Sequence, residues 1–283
     1  MSTRSLSGKS FTFESLLRLI MLLFVAVYLI PILFSLSTSF KSQAEFYRNI
    51  WGLPKEFKFD NYTKAFTTGR IGDYFINSVI IAALSLVLIQ ICSLLMGYAL
   101  ARLQIPGANI ILMALLAIQV LPTESEIVPL YIIFTRMGLF KIPYWGIILA
   151  YVGWSVPGTS IIMKNFFDTI PAELMESARL DGCGELRTMV QIILPLMKSA
   201  MATCFVFNFN FVWGELMWAQ IATALTNRGI PLTIGLLSFR GIYGTQWPML
   251  SAAICIVMIP LFAAFLFTQK YFVAGLTAGG VKG

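Results

Sequence analysis

Long apolar runs separated by short polar islands set the pattern of this chain. The runs fall at about 16–36, 75–100, 110–129, 146–167, 200–221 and 249–271. Each is near the ~20 residues that a helix needs to cross the hydrocarbon core of a bilayer. The runs are continuously apolar, whereas the strands of a membrane barrel would alternate. The pattern predicts an all-α polytopic membrane protein, one domain over 1–283 with six transmembrane helices. Pro122 interrupts the third run and Pro260 lies inside the sixth. The first run follows a basic, Ser-rich start with Arg4 and Lys9. It is too long for the core of a signal peptide and lacks a small-residue cleavage site.

The polar islands differ in kind. The segment 40–74 is the longest, with Trp51, Pro54, Phe59, Asn61 and Tyr62, and is too short for a domain of its own. It suits a compact cap on one membrane face. The island 168–198 between the fourth and fifth runs has helical grammar instead. Pro171 suits a first helical turn, and Glu173 and Glu176 lie where a helix dipole favours anions. Gly182 can take the left-handed conformation that stops a helix. A second short helix fits Glu185 to Ile193, ahead of Pro195. A helix–glycine–helix elbow at a membrane surface looks like a docking part.

The residues of this elbow carry a family resemblance. Glu176, Ala178, Asp181 and Gly182, followed by Ile192, Leu194 and Pro195, resemble the coupling-loop signature of permeases of ABC importers. Ser177 departs from the usual alanine there, and Ser199 from a second proline that often follows. The chain ending YFVAGLTAGGVKG resembles the tail of carbohydrate importer permeases of the maltose-permease type, second permease subunit. Phe272, Val273, Gly275, Leu276, Thr277, Gly279, Val281, Lys282 and Gly283 match it. With Asp60-Asn61-Tyr62 in the 40–74 loop, the resemblance covers nearly the whole chain.

The resemblance implies a membrane subunit that translocates a carbohydrate, an oligosaccharide, by alternating access. It implies a cytoplasmic coupling helix between spans four and five, with the ATPase-coupling contacts at Glu176, Ala178, Asp181, Gly182, Leu194 and Pro195. It also implies a cytoplasmic tail at 272–283, including Gly275, Thr277 and Lys282, that can reach between two ATPase subunits. The implied partners are a second homologous permease, two ATPase subunits, an extracytoplasmic solute-binding protein and the sugar. The implied location is the cytoplasmic (inner) membrane of a bacterium or archaeon, with both termini cytoplasmic. A sugar-phosphate or glycerol-phosphate solute is the alternative cargo.

Composition narrows the chemistry. The chain is 58% hydrophobic and 12% charged, far too apolar for a soluble domain. It has no histidine, which removes the commonest general base and metal ligand. Cys92, Cys183, Cys204 and Cys255 form neither a close pair nor a ligand-spaced cluster, so neither a disulfide nor a metal site is indicated. No phosphate-binding Gly-x-x-x-x-Gly-Lys-Ser/Thr loop is present. The chain is therefore expected to be non-catalytic and to bind no cofactor, with ATP and magnesium held by the partner ATPase. The net charge of +7 fits loops that meet anionic lipid headgroups better than a nucleic-acid site. Orientation does not follow from charge, because the 20 Lys and Arg divide ten and ten between the two sides.

Polar residues inside spans usually face a bundle interior or a water-filled route. The fifth run is the richest, with Asn208, Asn210, Trp213, Glu215 and Trp218. The segment Trp213 to Trp218 resembles the Trp-Asn-Glu-Phe-Leu-Trp stretch of sugar permeases, with Gly214 where an Asn is usual. These residues, with Gln119 of the third run, are candidates for the substrate path, supplying hydrogen bonds and apolar platforms for a sugar. Interhelical hydrogen bonds and interface tryptophans are the competing reading. Gln90, Ser93 and Trp154 are weaker candidates, and Glu124 and Glu126 fit simple exposure at the membrane interface. A secondary transporter without an ATPase is the rival class. Internal repeats and paired intramembrane charges would mark it, and neither stands out here.

Overall fold

The structure is a computed structural model that describes residues 7–224, 228–241 and 244–279, with side chains described between Phe13 and Lys270. The elements are helical except for one short hairpin. In chain order they are α1 (Ser7–Ser39), α2 (Gln43–Arg48), α3 (Asp60–Thr67), α4 (Ile71–Arg102), α5 (Ala108–Val120), α6 (Thr123–Arg136) and α7 (Trp145–Asp168). There follow α8 (Ala172–Leu180), α9 (Glu185–Thr188), a wider π turn (Met189–Ile193), α10 (Leu194–Leu196), α11 (Lys198–Gly214) and α12 (Met217–Thr223). The last are α13 (Leu232–Gly235), the hairpin β1 (Arg240–Gly241) and β2 (Gly244–Thr245), and α14 (Trp247–Gly279). The chain divides into two compact units, Met1–Ile71 with Ser238–Ile256, and Gly72–Leu237 with Val257–Gly283.

Four helices are singly long and apolar enough to cross a membrane: Phe13–Ser39, Ile71–Arg102, Trp145–Asp168 and Trp247–Lys270. Two bent pairs raise the total to as many as six crossings among the described residues. The first pair revises the third predicted span. It is not one rod from 110 to 129, because α5 and α6 meet at 103°. Pro122 has no N–H to donate and forces Leu121 to extended backbone (ψ 128°). The fifth span also differs from the expected 200–221. Its helix α11 stops at Gly214 and resumes as α12 at Met217, with Glu215 extended between them. At the far end α14 continues past the expected limit at Tyr271 to Gly279. The backbone of Gly275 and Thr277 is therefore helical, and Lys282 lies outside the described residues.

The first unit holds the 40–70 cap. Ser42 Oγ accepts the Glu45 N–H at 3.2 Å and starts α2. The ammonium of Lys41, 1% exposed, donates to the carbonyls of Asn49 (3.0 Å) and Ile50 (2.8 Å) and closes its other end. Burial pulls the Lys41 ammonium below its ordinary pKa, with Glu45 acting weakly in the other direction. The Asn61 amide donates to the carbonyls of Ser39 and Lys41, and Phe40 packs against Phe57, Phe59 and Tyr62.

In the second unit the helices pack through small residues. A Cβ on Gly97 of α4 would stand 2.7 Å from Met163 Cβ and 3.0 Å from the Lys164 nitrogen of α7. Such close approach is how helices associate where no hydrophobic force separates lipid from protein. Beside it lies a buried core of Tyr98, Met163, Phe167, Met175, Ile193 and Met197.

This contact yields a direct test. Gly97→Ala should destabilise the detergent-solubilised protein by about 1–3 kcal/mol through overpacking. Gly153→Ala, where a Cβ meets nothing within 4 Å, should be near neutral in the same thermal unfolding assay. Equal midpoints for both variants would refute the contact.

Candidate functional site

The elbow between α7 and α11 is built from local rules. Pro171 precedes the first residue of α8 as its cap, in extended backbone (ψ 136°). At the other end Gly182 takes φ +76°, a conformation open to glycine without a Cβ penalty. The Gly182 N–H donates to the Arg179 carbonyl at 3.0 Å and the Cys183 N–H to the Ala178 carbonyl at 2.9 Å. These are the two bonds of a Schellman stop, which satisfy carbonyls that the helix end would leave open. The chain then turns into α9 and its π extension.

One carboxylate crosses the turn. Glu185 Oε1 accepts from Arg179 Nε (3.1 Å) and Nη2 (2.7 Å). Its other oxygen accepts the Tyr98 hydroxyl of α4 at 2.5 Å. The hydroxyl of Tyr98 and then Arg179 hold the Glu185 carboxyl below the ordinary carboxylate range. The sign follows: this stabilisation is fully present at neutral pH and is lost only as pH falls through the depressed value. Arg102, one turn along α4, donates to the carbonyls of Phe167 and Ile170 where the chain leaves α7.

The predicted coupling residues sort into two groups. Ala178, 3% exposed, packs inward with Met175 and seats α8 on the core, so it offers no surface to a partner. Glu176, Asp181, Gly182 and Pro195 are exposed and Leu194 is half-buried. Between them Leu180 is 89% exposed and Leu186 69% exposed, flanking the Gly182 turn. The outward surface is thus apolar at its tip and acidic on α8.

The polar residues of the fifth span have mostly structural partners. Asn208 is buried and clasps α7: its amide nitrogen donates to Thr159 Oγ1 at 3.0 Å and to the Cys204 carbonyl at 2.8 Å. Trp213 donates to the Val257 carbonyl at 3.1 Å and stacks on Phe209 at 5.4 Å. Trp218, fully buried, donates to the Gly146 carbonyl at 2.9 Å. Asn210 and Gln119 are exposed, the latter lying over Gly158.

Glu215 occupies the break itself. Its oxygens accept the Tyr151 hydroxyl (2.8 Å) and the backbone N–H groups of Trp218 (2.8 Å) and Ala219 (3.1 Å). It therefore caps α12 and ties it to α7. Glu126, expected simply to be exposed, accepts from the Trp154 indole at 2.8 Å. The cleft among Thr123, Glu124, Trp154, Phe211, Glu215 and Met217 measures only about 30 Å³, too small for a sugar in this conformation. A larger cavity of about 520 Å³ lies between α4 and α11, but apart from Gln90 its lining is apolar. Sugar hydroxyls there would lose water without gaining partners.

Tyr98, Arg102, Tyr151 and Glu185 were not among the sequence candidates. The one available signal was type and place: a carboxylate just past a glycine stop, and polar residues inside apolar helices.

Bilayer-crossing helices joined by a stiff polar elbow have the build of a transport permease. A family model described as "Binding-protein-dependent transport system inner membrane component" matches residues 91–277, and the chain belongs to that family. It is a membrane-embedded ABC importer permease, a non-catalytic transport subunit. It is similar to the "Arabinooligosaccharides transport system permease protein AraQ" of Bacillus subtilis (strain 168), 34% identical over 94% of this chain and 95% of that one. It is also similar to the "Melibiose/raffinose/stachyose import permease protein MelC" of the same organism, 32% identical over 90% of this chain and 92% of that one. Among solved structures, a chain of "a bacterial ABC transporter involved in the import of the acidic polysaccharide alginate" shares the fold. The TM-score is 0.83 at 21% identity, over 95% of this chain and 100% of that one.

The Glu215 cap is testable apart from function. Glu215→Ala leaves two backbone donors and a buried phenol without partners, at about 1–3 kcal/mol each. Thermal unfolding should drop clearly for Glu215→Ala and less for Glu215→Gln, which keeps an acceptor. An unchanged midpoint for Glu215→Ala would show that the break is held by packing alone.

Proposed function

We propose that this chain is one of two homologous permeases of an ATP-driven carbohydrate importer, and that the elbow 172–196 is where an ATPase subunit docks. The elbow supports the reading most strongly. It is stiffened from within and presents Leu180 and Leu186 beside Glu176 and Asp181. An apolar tip with an acidic flank suits a cleft with an apolar floor and an arginine at its rim. Two ATPase subunits bind ATP and magnesium, and a solute-binding protein meets the opposite membrane face. Both termini are then cytoplasmic. The segment 272–283 reaches the ATPase pair, a reading that rests on its residue order. A carbohydrate cargo is supported by relatives named for oligosaccharide transport. Of the path candidates, Asn210 and Gln119 have exposed side chains and are the ones we assign to the route; the other four act as its frame.

Two substitutions test the docking. Glu176→Ala removes an exposed carboxylate without touching the core. Gly182→Leu meets open space, so its cost comes from the left-handed backbone, about 1–2 kcal/mol. Each should reduce co-purification of the ATPase, Gly182→Leu the more. Full ATPase recovery with both variants would refute the elbow as the docking element.

A further inference from the structure

We propose that the Tyr98–Glu185 hydrogen bond is the strut through which the elbow carries α4 with it, making these two positioning residues for transport. This rests on the elbow being the docking element. The elbow by itself is poorly suited to move anything. Its first helix has nine residues, and beyond the Schellman bonds at Gly182 and Cys183 only Gly184 leads into α9, so the two helices could swivel there.

Glu185 removes that freedom. Its single carboxylate takes donors from both sides: Arg179 from α8 and Tyr98 from α4. An exposed Arg–Glu pair contributes little alone. The phenol bond differs, because Tyr98 is 5% exposed and fixed edge-on against Phe167, with ring centroids 5.6 Å apart. In that apolar site a phenylalanine would pack as well, so the hydroxyl's contribution is the bond to Glu185. Four residues on, Arg102 grips the carbonyls of Phe167 and Ile170, and just before Tyr98 the close approach of Gly97 to Met163 brings α4 against α7. The end of α4 is thus bound to the elbow through Tyr98 and to the end of α7 through Arg102. Apolar contacts with Met175 and Met189 can slide over one another. A hydrogen bond fixes length and direction, so it transmits rotation.

The test uses the full chain with Cys92, Cys183, Cys204 and Cys255 replaced by alanine and a nitroxide pair attached through Leu103→Cys and Gln191→Cys, the latter exposed on the π turn and away from the Leu180–Leu186 tip. Electron–electron distance distributions are recorded for the chain alone and for its complex with the ATPase, with and without ATP and vanadate. With Tyr98 and Glu185 present, one narrow distribution should persist in every state. Tyr98→Phe and Glu185→Gln should each add a second population, and in the complex ATP should enlarge it. The double variant should be no worse than either single one, as for two residues acting as a pair. ATPase co-purification should stay unchanged, which separates loss of the strut from loss of docking. Distributions identical in all variants would overturn the proposal, as would a large ATP-driven shift with the native pair. The measurement on the chain alone decides the strut even where the ATPase fails to bind.

Discussion

Hydrocarbon offers no hydrogen bonds, so every backbone group freed where a membrane helix stops must find a partner within the protein. The breaks in this chain are arranged around that constraint. At the end of α7, Arg102 covers the carbonyls of Phe167 and Ile170. At the end of α8, on the membrane surface rather than within it, the Schellman bonds at Gly182 and Cys183 close the helix from the backbone. Between α11 and α12, Glu215 takes the N–H groups of Trp218 and Ala219. The two side-chain solutions also join elements: Arg102 ties α4 to the end of α7, and Glu215 ties α12 to α7 through Tyr151. The groups that satisfy helix ends therefore also fix how the pieces of the second unit stand against one another.

The long crossings were legible because nothing competes with their signal. The runs behind α1, α4, α7 and α14 are continuous, and each is a helix at nearly the expected place. The elbow was legible for another reason: Pro171 fixes its own φ and Gly182 takes the left-handed turn without a Cβ penalty, so their effect does not depend on distant neighbours, whereas Pro195, expected just past the second helix, lies inside α10. Pro122 was read correctly as a break, but the 103° bend depends on what packs around it.

The break at Glu215 was not legible. No proline marks it, and the run from 200 to 221 stays apolar through it. What favours it is a phenol 64 positions away and two N–H groups just ahead. Tyr98 and Glu185 are separated by 87 positions, and no local pattern could pair them. Asn208 followed the interhelical alternative because Thr159 faces it on α7. Trp213 and Trp218 were expected on the substrate path; their indoles donate to the backbone carbonyls of Val257 and Gly146. Residue type marked where polar groups had to be satisfied, and tertiary contact decided by what.

The same constraint bears on how the permease works. In the proposed assembly the ATPase passes energy to this subunit as motion, and motion passes only through parts that do not yield. In the elbow the yielding points, Gly182 and the helix ends, are the ones closed by hydrogen bonds. Its exposed surface, by contrast, carries Leu180 and Leu186, which water should not be left to cover.

The central claim is that this surface is buried by an ATPase on the cytoplasmic side. The direct measurement is labelling of Leu180→Cys, in a background without the native cysteines, by a membrane-impermeant maleimide in inside-out and right-side-out vesicles. The account predicts rapid labelling from the cytoplasmic face of vesicles holding the permease alone, protection when the ATPase is bound, and no labelling from the other face. Equal labelling with and without the ATPase, or labelling from the outer face, would contradict it.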